Sequence, residues 1–186
     1  MKLIIGLGNP GAEYDNMRHN VGFEIVDMIS KIAGGAYKFD KKTNADIAKA
    51  DFAGQKVVLA KPQTFINKSG EAARKLKFQY KVKAEDIVVI HDDLDIEFGS
   101  YKMSLGKDAG GHRGVQSVID HLKTNKFWRL RIGTANRKLT SARNQKTLKD
   151  RKEAVKHFVL AKFTPAERTE LKKVIKKALE RLANTL

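Results

Sequence analysis

His19 and Asp92 are the side chains whose types best suit proton transfer. His19 sits in Arg-His-Asn, between a polar stretch and the start of a helix. Imidazole titrates closer to neutral pH than any other side chain, so it suits a general base. Such a base needs a partner that fixes its tautomer, normally a carboxylate. Asp92 follows the apolar run Ile87 to Ile90 (IVVI) and is the natural partner. The same region permits a second chemistry. His91, Asp92, Asp93, Asp95, His19 and His112 are the ligand types of a metal-dependent phosphoesterase, although no H-E-x-x-H signature accompanies them.

Other residues carry paired readings. Gly6 to Gly11 (GLGNPG) fits G-x-G-x-x-G after a strand, which raises a dinucleotide site. The nine residues that follow are polar, and no acidic residue ends a second strand at the distance a ribose needs. A tight turn requiring glycine backbone freedom explains the motif as well. Gly110, Gly111 and Gly114 around His112 suit an anion at a helix start or a plain loop-to-helix turn. Asn67 offers either a cap for the next helix or an amide that donates to and accepts from a substrate. Phe65 is either core or a stacking surface for a base.

The elements that must hold these residues alternate between strand and helix. Lys2 to Leu7 reads as a strand, and Val21, Ile25, Met28 and Ile32 as one face of a helix that Asn20 would cap. Ala45 to Phe52 and Lys56 to Lys61 flank a turn and read as a hairpin. Lys68 to Tyr80 reads as a helix, IVVI as a strand buried on both faces, and Phe98 to Ser104 as a short strand. A helix follows the glycine loop, with Val115, Val118, Ile119 and Leu122 inward. Trp128 to Thr134 alternates, which predicts a half-exposed strand with Arg129 and Arg131 on a basic face. Residues 136–152 are polar and basic and read as a loop. Thr164-Pro165-Ala166-Glu167 is a capping box that opens a C-terminal helix over 165–184. The expectation is one α/β domain over 1–186, a mixed twisted sheet with helices on both faces, and a site beyond the carboxyl ends of the strands.

Charge bounds the partner. The chain has 186 residues, 37 Lys plus Arg and 21 Asp plus Glu, for a net charge of +16. From Asn136 onward there are 15 basic and 5 acidic residues. An excess of this size favours a polyanion, because each neutralised phosphate releases counterions. With no cysteine, thiolate chemistry and disulfides are excluded. No leader pattern opens the chain and no apolar run nears the length of a bilayer span, so a soluble cytoplasmic protein is expected.

GLGNPGAEYDNMRHNVGF, KPQTFINKSGEA, HDDLDIEFG, GGHRG, RLRIG and HFVLAKF run in order from residue 3 to about residue 163. Together these stretches resemble the bacterial-type peptidyl-tRNA hydrolases, which cut the ester between a peptide and the 3′ end of its tRNA. The resemblance implies a monomeric, metal-independent esterase with no cofactor and peptidyl-tRNA as partner. It implies that His19 activates water, that Asp92 orients His19, and that Asn9 beside them distinguishes blocked from free aminoacyl ends. Asn67 would bind the peptide backbone, Tyr14 and Phe65 would line the site, His112 would shape its wall, and Arg131 would grip the 5′ phosphate. Arg113 stands where the family pattern GGHNG has an Asn expected to contact substrate, and its guanidinium suits an oxyanion or phosphate instead. Ile66 replaces the usual Met, and Ser104 stands where a phosphate-clamping Lys is common, with Lys102 and Lys107 nearby. Met17 and the stretch Thr134 to Lys138 also differ. A non-catalytic RNA-binding relative is the alternative; it would lack His19, Asp92 or Asn9, and all three are present.

Overall fold

The computed structural model describes residues 1–186. Its strands are β1 (Lys2–Gly6), β2 (Lys38–Asp40), β3 (Ala45–Phe52), β4 (Gln55–Pro62), β5 (Ile87–Glu97), β6 (Tyr101–Leu105) and β7 (Trp128–Ala135). They form a single sheet in the order β2-β3-β4-β1-β5-β7-β6. The central strands β4, β1, β5 and β7 are parallel, and the three outer pairings are antiparallel. β5 is central and covered on both faces, which is why its first seven residues are all buried and its apolar run does not alternate.

Helices α1 (Val21–Ile32) and α6 (Pro165–Ala183) cover one face of the sheet, and α2 (Ser69–Gln79) and α3 (Arg113–Leu122) the other. On the first face Val21, Ile25, Val26 and Ile29 of α1 pack with Leu171, Ile175, Ala178 and Leu182 of α6 over Ile4, Leu59, Ile90 and Leu130. Each of the buried Val, Leu and Ile side chains stabilises the fold by about 1.5–3 kcal/mol. The capping box of α6 forms as its sequence predicts: Glu167 N–H donates to Thr164 Oγ1 at 3.2 Å and Thr164 N–H to Glu167 Oε2 at 2.7 Å.

Residues 136–152 are not a loop. They form α4 (Arg137–Arg143) and the first turn of α5 (Leu148–Val159), capped by the side chains of Asn136 and Thr147. The polar composition concealed the helices because few residues are buried: Leu139, Ala142, Phe158 and Val159 supply the apolar contact. Nor is the Arg129 face of β7 half-exposed. Arg129 is 2% exposed, and its Nη2 donates to Asp108 O at 2.9 Å. β7 lies inside the sheet between β5 and β6, and the segment leading to α3 covers that side chain. The edge strand β2 has only three residues and no sequence signal marks it.

Glycine at two positions lets α1 lie directly on the strand ends. A Cβ on Gly22 would come within 2.3 Å of Ile90 O and 2.5 Å of Leu7 N, and one on Gly6 within 2.3 Å of Gly22 O. Backbone atoms cannot give way, so Gly22→Ala is expected to cost about 3 kcal/mol by overpacking. Urea unfolding checks this; an unchanged midpoint would show that α1 can lift off the sheet freely.

Candidate active site

Because β1, β4, β5 and β7 are parallel, their carboxyl ends open on one edge of the sheet. Three of the segments that follow them carry the sequence-derived candidates, which is the arrangement expected of open α/β sheets. β1 leads to Asn9, β4 to Phe65 and Asn67, and β5 itself continues through Asp92. β1 stops at Gly6, opposite Ile90, so Asp92 extends past its neighbour on that side. The short 3-10 turn Arg18–Asn20, just ahead of α1, brings His19 over it.

His19 Nδ1 lies 2.9 and 3.0 Å from the two carboxylate oxygens of Asp92. His112 Nε2 lies 3.1 Å from Asp92 Oδ1. The His112 ring also caps α3, its Nδ1 accepting from Val115 N–H at 3.2 Å. A neutral imidazole that accepts at Nδ1 carries its proton on Nε2, so His112 donates to Asp92. Asp92 therefore takes one bond from each of two imidazoles. Burial would raise its carboxyl, but the adjoining imidazoles override burial and hold it ionised, far below the usual carboxylate range. Burial would likewise lower His19, yet the charge and hydrogen bond of Asp92 outweigh it and raise its pKa above 6.5. His19 Nε2 makes no hydrogen bond within the chain and is not buried, so it is the free basic position.

His91 is fully buried and belongs to the support. Its Nδ1 donates to Asp92 O at 2.6 Å, and its ring meets His112 edge-on at 4.8 Å. Burial first, then His112, drives its pKa well below 6.5, so it stays neutral. The six possible metal ligands do not converge. Asp93 pairs with Arg131 at 2.8 Å and Asp95 with Arg143 at 2.9 Å, while His91 faces backbone. His19, Asp92 and His112 do lie within 4.8 Å of one another. A metal at His112 Nε2 would have to displace the proton that the ring donates to Asp92.

Asn9 is fixed on both sides. Its amide N–H and carbonyl bond to Asn20 Oδ1 and Nδ2 at 3.0 and 2.8 Å, and its own Oδ1 accepts from Ile66 N–H at 2.8 Å. That orientation leaves Asn9 Nδ2 as an uncommitted donor. Asn20 thus does not cap α1, as its sequence position suggested. It clamps Asn9, because a pair of backbone bonds in a buried turn engages both ends of its amide. Sequence reading missed this role, since an Asn before a helix gives the same signal for either. Asn67 is exposed, caps nothing and makes no hydrogen bond within the chain. Tyr14 and Phe65 meet edge to face at 6.3 Å, and Phe65 is 58% exposed. Arg113 is exposed at the first position of α3, next to His112, with no partner. Arg131 has its Nε held by Asp93 and its Nη1 3.3 Å from Ser104 Oγ.

Fold and site together define an α/β scaffold that presents a histidine–carboxylate pair beyond its parallel strand ends. The chain belongs to the peptidyl-tRNA hydrolase family, whose profile matches residues 3–186. It is 39% identical over 186 residues to the peptidyl-tRNA hydrolase of Aquifex aeolicus, covering 100% of this chain and 90% of that protein. It is 40% identical over 181 residues to that of Mycobacterium tuberculosis, covering 96% and 87%. The crystal structure of peptidyl-tRNA hydrolase from Acinetobacter baumannii superposes with a TM-score of 0.85 at 32% identity, over 97% of this chain and 85% of that one. A peptidyl-tRNA hydrolase in complex with N-propanol gives 0.87 at 32% identity, over 100% and 88%.

Proposed function

We propose that the protein hydrolyses the ester joining a peptide, or an N-blocked amino acid, to the 3′-terminal ribose of tRNA, with His19 as general base. The observation that carries the reading is the Asp92-anchored Nδ1 of His19, which leaves Nε2 free to take a proton. His19 Nε2 removes a proton from water as its oxygen bonds to the ester carbonyl carbon. The C–O bond to the ribose breaks, and the same proton passes from Nε2 to the departing ribose oxygen. Asn9 Nδ2 and the free amide of Asn67 supply donors for the carbonyl oxygen and the peptide backbone. An ester leaves more readily than an amide, so one base and fixed donors suffice without a nucleophilic side chain.

Tyr14 and the exposed Phe65 provide a stacking surface for the terminal nucleotide. Arg131, paired with Asp93, supplies a guanidinium for a phosphate, and Arg113, without a partner in the chain, one for an oxyanion or phosphate. The net charge of +16 fits a polyanionic substrate. No helix is long and apolar enough to cross a membrane, and we read the protein as a cytoplasmic monomer.

The test is incubation with N-acetylaminoacyl-tRNA and free aminoacyl-tRNA, each with a chelator present. Release of the acetylated amino acid alone, from tRNA that stays intact, is expected. Tight binding without release would point to an RNA-binding relative; loss of activity with chelator, or cutting of the RNA backbone, to a metal nuclease.

A further inference from the structure

Glu167 ties together three segments that are distant in the chain. Within α6 it completes the capping box, which requires only its bond to Thr164. Its carboxylate takes more than that. Arg18 Nη2 donates to both oxygens at 2.9 Å, and Asn136 Nδ2 donates to Oε1 at 3.0 Å. These partners come from the turn before α1 and from the start of α4. The carboxylate side chain is only 14% exposed, so each bond is made away from bulk water.

The Arg18 end adjoins the base. Arg18 immediately precedes His19 and is 2% exposed. Its guanidinium lies 4.6 Å from the Phe158 ring and 5.2 Å from that of Phe163. Its Nη1 donates to Ala161 O and Lys162 O at 3.1 and 3.2 Å, and its backbone N–H to Ala161 O at 3.1 Å. The turn carrying His19 therefore follows the end of α5 and the start of α6 as one piece.

The Asn136 end adjoins the basic hairpin. Asn136 Oδ1 accepts from Lys138 and Leu139 N–H at 3.0 and 3.2 Å, capping α4, while its Nδ2 reaches Glu167. At the far end of α4, Arg143 pairs with Asp95 at 2.9 Å, three residues beyond Asp92. The start of α4 is thus tied to Glu167 of α6, and through it to Arg18, while its end meets β5 through an exposed ion pair. The α4–α5 hairpin holds Arg137, Lys138, Arg143, Lys146, Lys149, Arg151, Lys152 and Lys156 against Asp150 and Glu153, a surface for a polyanion.

We infer that Glu167 and Asn136 are positioning residues that couple the basic α4–α5 hairpin to the turn bearing His19, so that a tRNA body seated on the hairpin holds the base in register with the ester. The inference rests on His19 being the base. A shift of ~1 Å at a reacting group costs on the order of 100-fold in rate, so a small movement of this junction is enough to matter. A purely structural junction would slow large and small substrates alike; a coupling junction slows only a substrate long enough to reach the hairpin.

The experiment compares N-acetylaminoacyl-tRNA with the same ester on the trinucleotide CCA, using the full chain. Asn136→Asp and Asn136→Ser both keep an oxygen that caps α4 but remove the donor to Glu167. For both, kcat on the tRNA substrate is expected to fall ~10-fold with KM changed less than about twofold, while trinucleotide turnover stays at the wild-type value. Equal losses on both substrates, no loss on either, or a loss in Asn136→Asp alone would overturn the coupling. A His19→Ala control with wild-type turnover would instead overturn the assignment of the base.

Discussion

His19→Ala is expected to lower turnover of N-acetylaminoacyl-tRNA by ~10³-fold, within the range a positioned general base supplies. Binding of the tRNA should change little. His19 is one neutral or singly charged group against a chain of net charge +16, and affinity for a polyanion scales with the number of phosphates neutralised. The fold should survive, because the His19 side chain is 15% exposed and its hydrogen bonds go to Asp92 alone. Single-turnover release of acetylated amino acid, beside filter binding of the uncleaved substrate, measures both effects. Residual turnover within tenfold of wild type would remove His19 from the role of base.

For Asp92→Asn the expected loss is ~10²- to 10³-fold, because the substitution reverses the tautomer of the base. His112 must keep its Nε2 proton, since its Nδ1 accepts the Val115 amide. The new amide oxygen then takes the Oδ1 position, which both imidazoles reach, and the amide –NH2 takes the Oδ2 position, 3.0 Å from His19 Nδ1. An N–H facing Nδ1 makes that nitrogen the acceptor and moves the His19 proton to Nε2, the position that must be empty to take one from water. The pH profile gives an independent readout. In the native site Asp92 raises the pKa of His19 despite its burial, and His19 works only when neutral. Activity of the wild type should then rise with pH through a pKa above 6.5. Removing the carboxylate leaves burial, which lowers the pKa, so the acid limb of the weakened variant should move to lower pH. An unmoved limb would mean that another group sets it.

The two variants also separate legible from hidden parts of the site. The residues of the dyad could be nominated from type and setting: a histidine at a helix entrance, an aspartate closing an apolar run. Their meeting could not, because they are 73 residues apart and no local periodicity encodes that approach. Sharing of Asp92 between His19 and His112 was invisible for the same reason. His112 reads as a loop residue among glycines, and its two roles appear only when the start of α3 is laid against the end of β5.

Sequence alone determined the features whose physics is local. Alternation, a one-sided helical stripe and a capping box each depend on neighbours within about four residues, so α1, α6, the β3–β4 pair and the buried start of β5 were all legible. It failed where burial comes from another element. Residues 136–152 read as a loop because their helices carry few apolar side chains and are anchored through distant partners, Glu167 and Asp95. Arg129 read as exposed because its covering segment lies twenty-odd residues upstream, around Asp108. Tertiary structure alone decided which polar groups lose water and whom they then meet: the clamp of Asn20 on Asn9, the junction at Glu167, and the carboxylate that leaves one histidine nitrogen free. A buried polar group must find a partner wherever the fold brings one, and that choice is made between elements rather than within them.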